Sequence, residues 1–200
     1  MILLLIRHAN TNATGRAISG RKTGVLLNDE GRRQAEQLAS GLAAHQIEAI
    51  FCSPLERAQQ TAEPLANSRS LKVQTIDALT DIDFGDWAGE LLSTLEPNEK
   101  WKQWNLFRSS QRIPNGETIF EVQARMLGQV ERLTRKFPHG QVAVVSHADP
   151  IRTVLAHFLG MPLELLHRIE ISPASVSTIR ITDWGAQVLQ ANLTFYPALR

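Results

Sequence analysis

Three short apolar runs, MILLLI (1–6), IEAIFCSP (47–54) and QVAVVSH (141–147), each end on polar residues, with helical patterns between them. No other feature constrains the fold as much. A strand that is apolar along its length is buried on both faces. Strands separated by helices pair in parallel, because a parallel crossover needs roughly a dozen residues or more. The alternation predicts an α/β fold: a three-layer α/β/α sandwich with a mostly parallel central sheet and helices on both faces.

The segments between the strands fill out that plan. A Gly/Asn/Thr/Ser-rich loop runs from about Ala9 to Leu27. A helix follows with Asn28 as its N-cap, Asp29 and Glu30 in its first turn, and Ala35, Leu38, Ala39 and Leu42 at helical spacing. ERAQQTAEPLANS (56–68) reads as a helix bent or ended near Pro64. LKVQTIDALTDIDFGDW (71–87) reads as a strand and then an irregular segment. Residues 88–116 read as a short helical cap, with Trp101, Trp104 and Phe107 as core or as an apolar wall for substrate. ETIFEVQARMLGQVERLTRKF (117–137) is the clearest helix, ended by His139-Gly140. DPIRTVLAHFLG (149–160) is another, with Pro150 near its first position and Asp149 as N-cap. SVSTIRIT (175–182) and AQVLQANL (186–193) form a hairpin through DWG, and the first of these is expected at a sheet edge, open to homodimer pairing. The chain reads as one domain, 1–200.

Composition excludes several classes. The 200 residues carry a formal net charge of +1, so nothing argues for nucleic acid or an anionic membrane as partner. Cys52 is the single cysteine, which rules out a disulfide framework and a multi-cysteine metal site. MILLLI has no basic leader and is too short for a signal peptide. No stretch approaches the ~20 apolar residues of a membrane span. The expectation is a soluble, cytoplasmic protein.

The ends of the three strands carry the chemistry. The first ends in Arg7-His8. The second ends in Ser53-Pro54, with Arg57 one turn into the next helix. The third ends in Ser146-His147, with Asp149 and Arg152 just beyond. Ligands of open α/β sheets bind beyond the carboxyl ends of the strands. If these strands are parallel neighbours, two arginines and two histidines converge there. Guanidinium forks match phosphate oxygens, one imidazole can attack phosphorus, and the other can stabilise the equatorial oxygens. The arginines supply the positive charge, so no metal or cofactor is expected. Taken singly, each residue has an ordinary reading: a snorkelling Arg7, an exposed His8, a helix-surface Arg57, a strand-end His147 bonded to backbone.

The sequence resembles the histidine phosphatase superfamily, in its phosphoglycerate mutase-like branch. LIRHANT resembles the family's RHG-x-T/S signature. GRAISGRKTGVLLNDEGRRQAEQLA resembles its Gly-rich loop and L-[TN]-x-x-G-x-x-Q-A helix. FCSPLERAQQTAEPLA, LTDIDFGDWAG, IPNGET and VAVVSHADPIR match further segments in the right order, over about residues 2 to 160. The resemblance implies His8 as nucleophile, Arg7, Arg57 and His147 as the phosphate pocket, and Asp81 as general acid. Asn10, Asn12, Thr14, Ser19, Gly20 and Ala148 complete the expected substrate-binding set.

Several positions depart from the family pattern. Ala9 replaces its Gly, Asn10 its Glu or Gln, and Asp81 its Glu. Asp81, Asp83 and Asp149 stand as candidates for the acid. Arg152 packs on the carboxylates or is structural, Ser53 and Ser146 support the pocket, and Cys52 is buried and inert. The expected function is a metal-independent phosphomonoesterase that acts through phosphohistidine on a small phosphomonoester. The alternatives are mutase-type transfer and a non-catalytic phosphate-binding module. A mutase needs extra cations for a carboxylated sugar acid, and residues 88–116 offer Lys100, Lys102, Arg108 and Arg112 in a short insertion.

Overall fold

In the computed structural model, which describes residues 1–196, six strands form one sheet. They are β1 (Ile2–Arg7), β2 (Ala49–Cys52), β3 (Val73–Thr75), β4 (Gln141–Ser146), β5 (Val176–Thr182) and β6 (Gly185–Leu193). The helices are α1 (Asp29–Gly41), α2 (Glu56–Asn67), α3 (Leu92–Leu95), α4 (Glu99–Leu106), α5 (Ile119–Lys136) and α6 (Ala148–Phe158). The strand order is β3-β2-β4-β1-β5-β6. β3, β2, β4 and β1 are mutually parallel, while β5 runs against β1 and β6 against β5. The expected three-layer, mostly parallel sandwich is the fold observed.

The period-2 alternation of a strand divides the core in two. Leu4, Ile6, Ile50, Cys52, Ala143 and Val145 face one side and pack on Leu38 and Leu42 beside α2 residues Ala58, Ala62 and Leu65. Leu3, Leu5, Phe51, Val142 and Val144 face the other side and pack on Val122, Met126 and Val130 of α5 and Ile151 and Leu155 of α6. The strands therefore read as unbroken apolar runs because both faces are covered. The Asn28 side chain caps α1 by accepting from the Gly31 N–H at 2.8 Å. Thr118 and Glu121 close a reciprocal capping box at the start of α5.

Four expectations need correction. α2 does not stop at Pro64 but continues to Asn67, because Leu65 and Ala66 are buried and their packing outweighs the lost backbone bond. α5 ends at Lys136, before His139-Gly140, where Phe137 leaves the helical region. Asp149 is not an N-cap: His147 holds that position in extended conformation, and Asp149 lies in the first turn of α6 with its carboxylate bound to arginines. β5 is not an edge strand, since it sits between β1 and β6; the edges are β3 and β6. For Trp101 and Trp104 the core reading holds. Trp104 is buried against Phe84, Trp87 and Trp101, with ring centroids 5.8, 5.8 and 5.3 Å away, and Phe107 is 54% exposed.

Among the described residues, no helix is long and apolar enough to cross a membrane. Leu4 is fully buried at the centre of the sheet. Leu4→Ala is expected to lower unfolding free energy by about 2–5 kcal/mol, read as a shifted denaturant midpoint with an unchanged slope.

Candidate active site

Strand register builds the site. Arg7 pairs with Ser146 across β1 and β4, so His8 and His147 leave adjacent strands at the same level. Their ring centroids lie 5.2 Å apart. On the other side of β4, Cys52 pairs with Val145 and the Ser53 N–H bonds to the Val145 carbonyl at 2.9 Å. After β1 the chain crosses to the face of α1, and after β4 to the face of α6. That divergence opens a cavity of about 260 Å³ beyond the strand ends. Arg7, His8, Thr14, Ser19, Gly20, Asp81, His147 and Ala148 line it.

His8 has a defined tautomer. Its Nδ1 lies 2.8 Å from the Ala9 carbonyl, which can only accept, so Nδ1 carries the proton and Nε2 keeps its lone pair. Burial, followed by the charges of Arg7 and Arg57, holds its pKa well below the ordinary histidine range. The imidazole is therefore neutral at neutral pH.

His147 is set from the opposite side. The Ser53 hydroxyl accepts the Leu55 N–H at 3.3 Å and lies 2.9 Å from His147 Nε2. Ser53 has no other acceptor among the described residues, so its proton goes to Nε2 and the ring proton sits on Nδ1. Nδ1 has no hydrogen-bond partner and lies 3.6 Å from Asp81 Oδ2. Burial and the Arg57 charge keep this ring neutral as well. Ser146 is a support, donating from its hydroxyl to the Leu79 carbonyl at 2.7 Å.

Arg57 is completely buried and stands behind the cavity wall rather than on it. Its Nη2 donates to the Gly20 carbonyl at 2.6 Å and to Asp81 Oδ2 at 3.1 Å. Arg7 Nη1 donates to the Ile171 carbonyl at 2.5 Å. Seven buried side-chain polar atoms among the described residues lack a partner, and three of them are Arg7 Nε, Arg57 Nε and His147 Nδ1. Unpaired N–H donors are rare in folded proteins. Of their residues, Arg7 and Arg57 act on His8 through their charge and the His147 ring stands 5.2 Å from it.

The carboxylates divide sharply. Burial raises the Asp81 pKa more than Arg57 draws it down. Burial would raise Asp149 too, but Arg108 at 3.0 Å and Arg152 at 2.8 Å reverse it and hold this carboxyl well below the usual range. Asp83 does not line the cavity; its carboxylate accepts the Gly85 N–H. Cys52 is inert, its thiol pushed up to about 12 by burial.

Asn10 and Asn12 do not line the cavity either. Asn10 works through its backbone: its N–H donates to Gln34 Oε1 at 3.0 Å and its carbonyl accepts the Asn28 N–H at 3.1 Å. The Asn12 side chain bonds to Asn28. A Cβ at Gly31 would fall 2.0 Å from the Asn10 carbonyl, so only glycine lets α1 pack this close to the loop. Thr61 Oγ1 accepts the Ala9 N–H at 2.9 Å. Ala9 has no positive φ, so the missing glycine there costs nothing in conformation. Thr11 and Arg152 also line the cavity. Thr11 carries no distinguishing signal in the sequence, whereas Arg152, one turn past His147, does.

Known proteins supply an independent line. Phosphoserine phosphatase 1 of Hydrogenobacter thermophilus is 29% identical over 197 residues, covering 96% of this chain and 92% of that protein. The adenosylcobalamin/α-ribazole phosphatase of Escherichia coli is 32% identical over 188 residues, covering 92% and 91%. The solved structure of YhfR from Bacillus stearothermophilus superposes with a TM-score of 0.89 at 25% identity, covering 97% and 98%. The profile of the histidine phosphatase superfamily (branch 1) matches residues 3–194. With the likeness running from the first strand to the last, the chain belongs to the histidine phosphatase superfamily.

Proposed function

We propose that the chain hydrolyses a small phosphomonoester, without a metal, through a phosphohistidine on His8. The observation that carries this is a neutral imidazole with a free Nε2, 5.2 Å from a second neutral imidazole and in the field of Arg7 and Arg57. His8 Nε2 attacks phosphorus in line, and the ester oxygen leaves with a proton from Asp81. Arg7 and His147 Nδ1–H take the charge that spreads over the equatorial oxygens, and Arg57, behind the wall, adds its positive charge through space. Asp81, now a carboxylate, removes a proton from water. The water oxygen attacks phosphorus, the P–N bond breaks, phosphate leaves, and His8 and Asp81 return to their starting states.

Asp81 is the acid in this reading because its environment favours the protonated form, whereas Asp149 is held ionised. Thr14, Ser19, Gly20 and Ala148 shape the wall beyond the phosphate. The described residues, 1–196, are read as one domain with residues 88–116 as its cap. A lone buried cysteine accords with action in the cytoplasm.

Hydrolysis is favoured over mutase transfer by the fate of the four cations in the cap. None of them lines the cavity. Arg108 is buried on Asp149, Lys102 pairs with Glu99, Arg112 pairs with Glu121, and Lys100 is exposed. Phosphoserine and α-ribazole phosphate, for which two relatives are named, are the first substrates to assay.

His8→Ala is expected to abolish both phosphate release from p-nitrophenyl phosphate and the acid-labile, base-stable phosphoprotein seen after rapid quenching; normal turnover would refute the mechanism. Arg57→Ala is expected to lower kcat by about 100-fold or more, as loss of a transition-state charge stabiliser does. The rate needs His8 unprotonated and Asp81 protonated. The acid limb should therefore fall well below pH 6.5, and the rate should decline as pH rises through the raised pKa of Asp81. Asp81→Asn is expected to flatten that decline; an unchanged pH profile would remove Asp81 as the acid.

A further inference from the structure

Asp81 lies in a stretch, residues 81–84, that has no regular secondary structure. No ladder of backbone bonds holds it, yet its role demands an oxygen within hydrogen-bond reach of the leaving group. The structure supplies the missing support from Glu117, just before α5, and Arg125, in its second turn. Arg125 donates to three carbonyls at the start of this segment and just before it: Ala78 at 2.8 Å, Thr80 at 2.7 Å and Asp81 itself at 3.0 Å. Glu117 in turn holds Arg125, with its two oxygens at 3.1 Å from Arg125 Nε and Nη2.

Glu117 does more than orient Arg125. One of its oxygens also accepts Arg21 Nη2 at 2.7 Å, and the other accepts the Asp83 N–H at 3.0 Å. Arg21 belongs to the loop that supplies Thr14, Ser19 and Gly20 to the cavity, and its Nε reaches the Asp81 carbonyl at 3.2 Å. Glu117 and Arg125 are both mostly buried. One carboxylate and two guanidiniums thus grip the Asp81 backbone from two directions and tie it to the phosphate-side loop. Among the contacts they make, none is to the Asp81 carboxyl, so the grip fixes where the group sits without binding its proton.

We propose that Arg125 and Glu117 form a clasp that positions Asp81 for proton donation, making both of them positioning residues for the chemical step. The inference rests on Asp81 being the acid. A guanidinium presents a planar fork of five donors, and three carbonyls plus a carboxylate use that geometry; a lysine ammonium cannot. A displacement of about 1 Å at a reacting group can cost on the order of 100-fold in rate. That loss should appear only where the leaving group needs a proton.

The test compares an alkyl phosphate, glycerol 3-phosphate, with p-nitrophenyl phosphate, whose leaving group needs no acid. Arg125→Ala, Arg125→Lys and Glu117→Gln are measured beside Asp81→Asn and the double variant Asp81→Asn/Arg125→Ala. The alkyl-to-aryl ratio of kcat/KM is expected to drop about 100-fold in Arg125→Ala and about as far in Arg125→Lys. In the double variant the ratio should fall no further than in Asp81→Asn alone, because the two changes remove one function. Equal losses on both substrates, or a double variant whose ratio falls by the product of the two, would overturn the clasp. Should Arg125→Ala fail to fold, Arg125→Lys and Glu117→Gln give the same ratio. An Asp81→Asn ratio equal to wild type would instead defeat the acid assignment beneath the proposal, and the ratios of the other variants would show nothing of it.

Discussion

Two guanidiniums and two imidazoles are buried at one end of a parallel sheet, and the rest of the site depends on how that charge is contained. Desolvated like charges repel strongly in a low-dielectric interior. The chain answers by leaving both imidazoles neutral and by giving each guanidinium oxygen partners. Arg7 bonds the Ile171 carbonyl, and Arg57 bonds the Gly20 carbonyl and Asp81. What remains is a group of N–H donors with nothing to donate to. An anion would complete them, and a phosphoryl group has both the charge and the oxygens.

The same containment sets proton positions. The Ala9 carbonyl fixes the His8 proton on Nδ1, and the Ser53 hydroxyl fixes the His147 proton there too. The consequences are opposite because the rings face differently. His8 offers a lone pair and His147 offers a donor. Neither assignment needs a carboxylate partner, so neither ring is drawn toward its charged form. Both imidazoles stay neutral well below the ordinary histidine range, and Asp81 holds its proton to higher pH than a free aspartic acid does.

Much of this was legible before the fold was seen. Unbroken apolar strands separated by amphipathic helices specify a covered parallel sheet, and residues just past parallel strand ends meet if the strands are neighbours. β2, β4 and β1 are neighbours, so Arg7, His8, Arg57 and His147 came together. Tertiary contacts with no local signature were not legible. Nothing near Asp149 announces that Arg108, 41 residues away, takes its carboxylate away from capping. The hairpin of SVSTIRIT with AQVLQANL was legible, but nothing in SVSTIRIT says that its other edge pairs with β1. Pro64 carries a strong local signal for a helix end, but the burial of Leu65 and Ala66 overrides it. Asn10 and Asn12 look like ligands by residue type, whereas their contacts brace the loop against α1.

The shorter acid is where these threads meet. The family pattern that the sequence resembles has a glutamate at this point; this chain has Asp81. A side chain with one fewer methylene has one fewer rotatable bond with which to correct an error in its backbone. Its carboxyl can then be no better placed than its own peptide unit. Asp81 O is the carbonyl that two arginines grip, from α5 and from the phosphate-side loop, while Asp81 Oδ1 accepts the adjacent Ile82 N–H at 2.9 Å. Backbone and carboxyl are therefore fixed together, and Oδ2 is left facing Arg57 and His147. Substituting the longer glutamate would free the carboxyl from that short local bond, so the shorter residue is matched to the grip on its backbone.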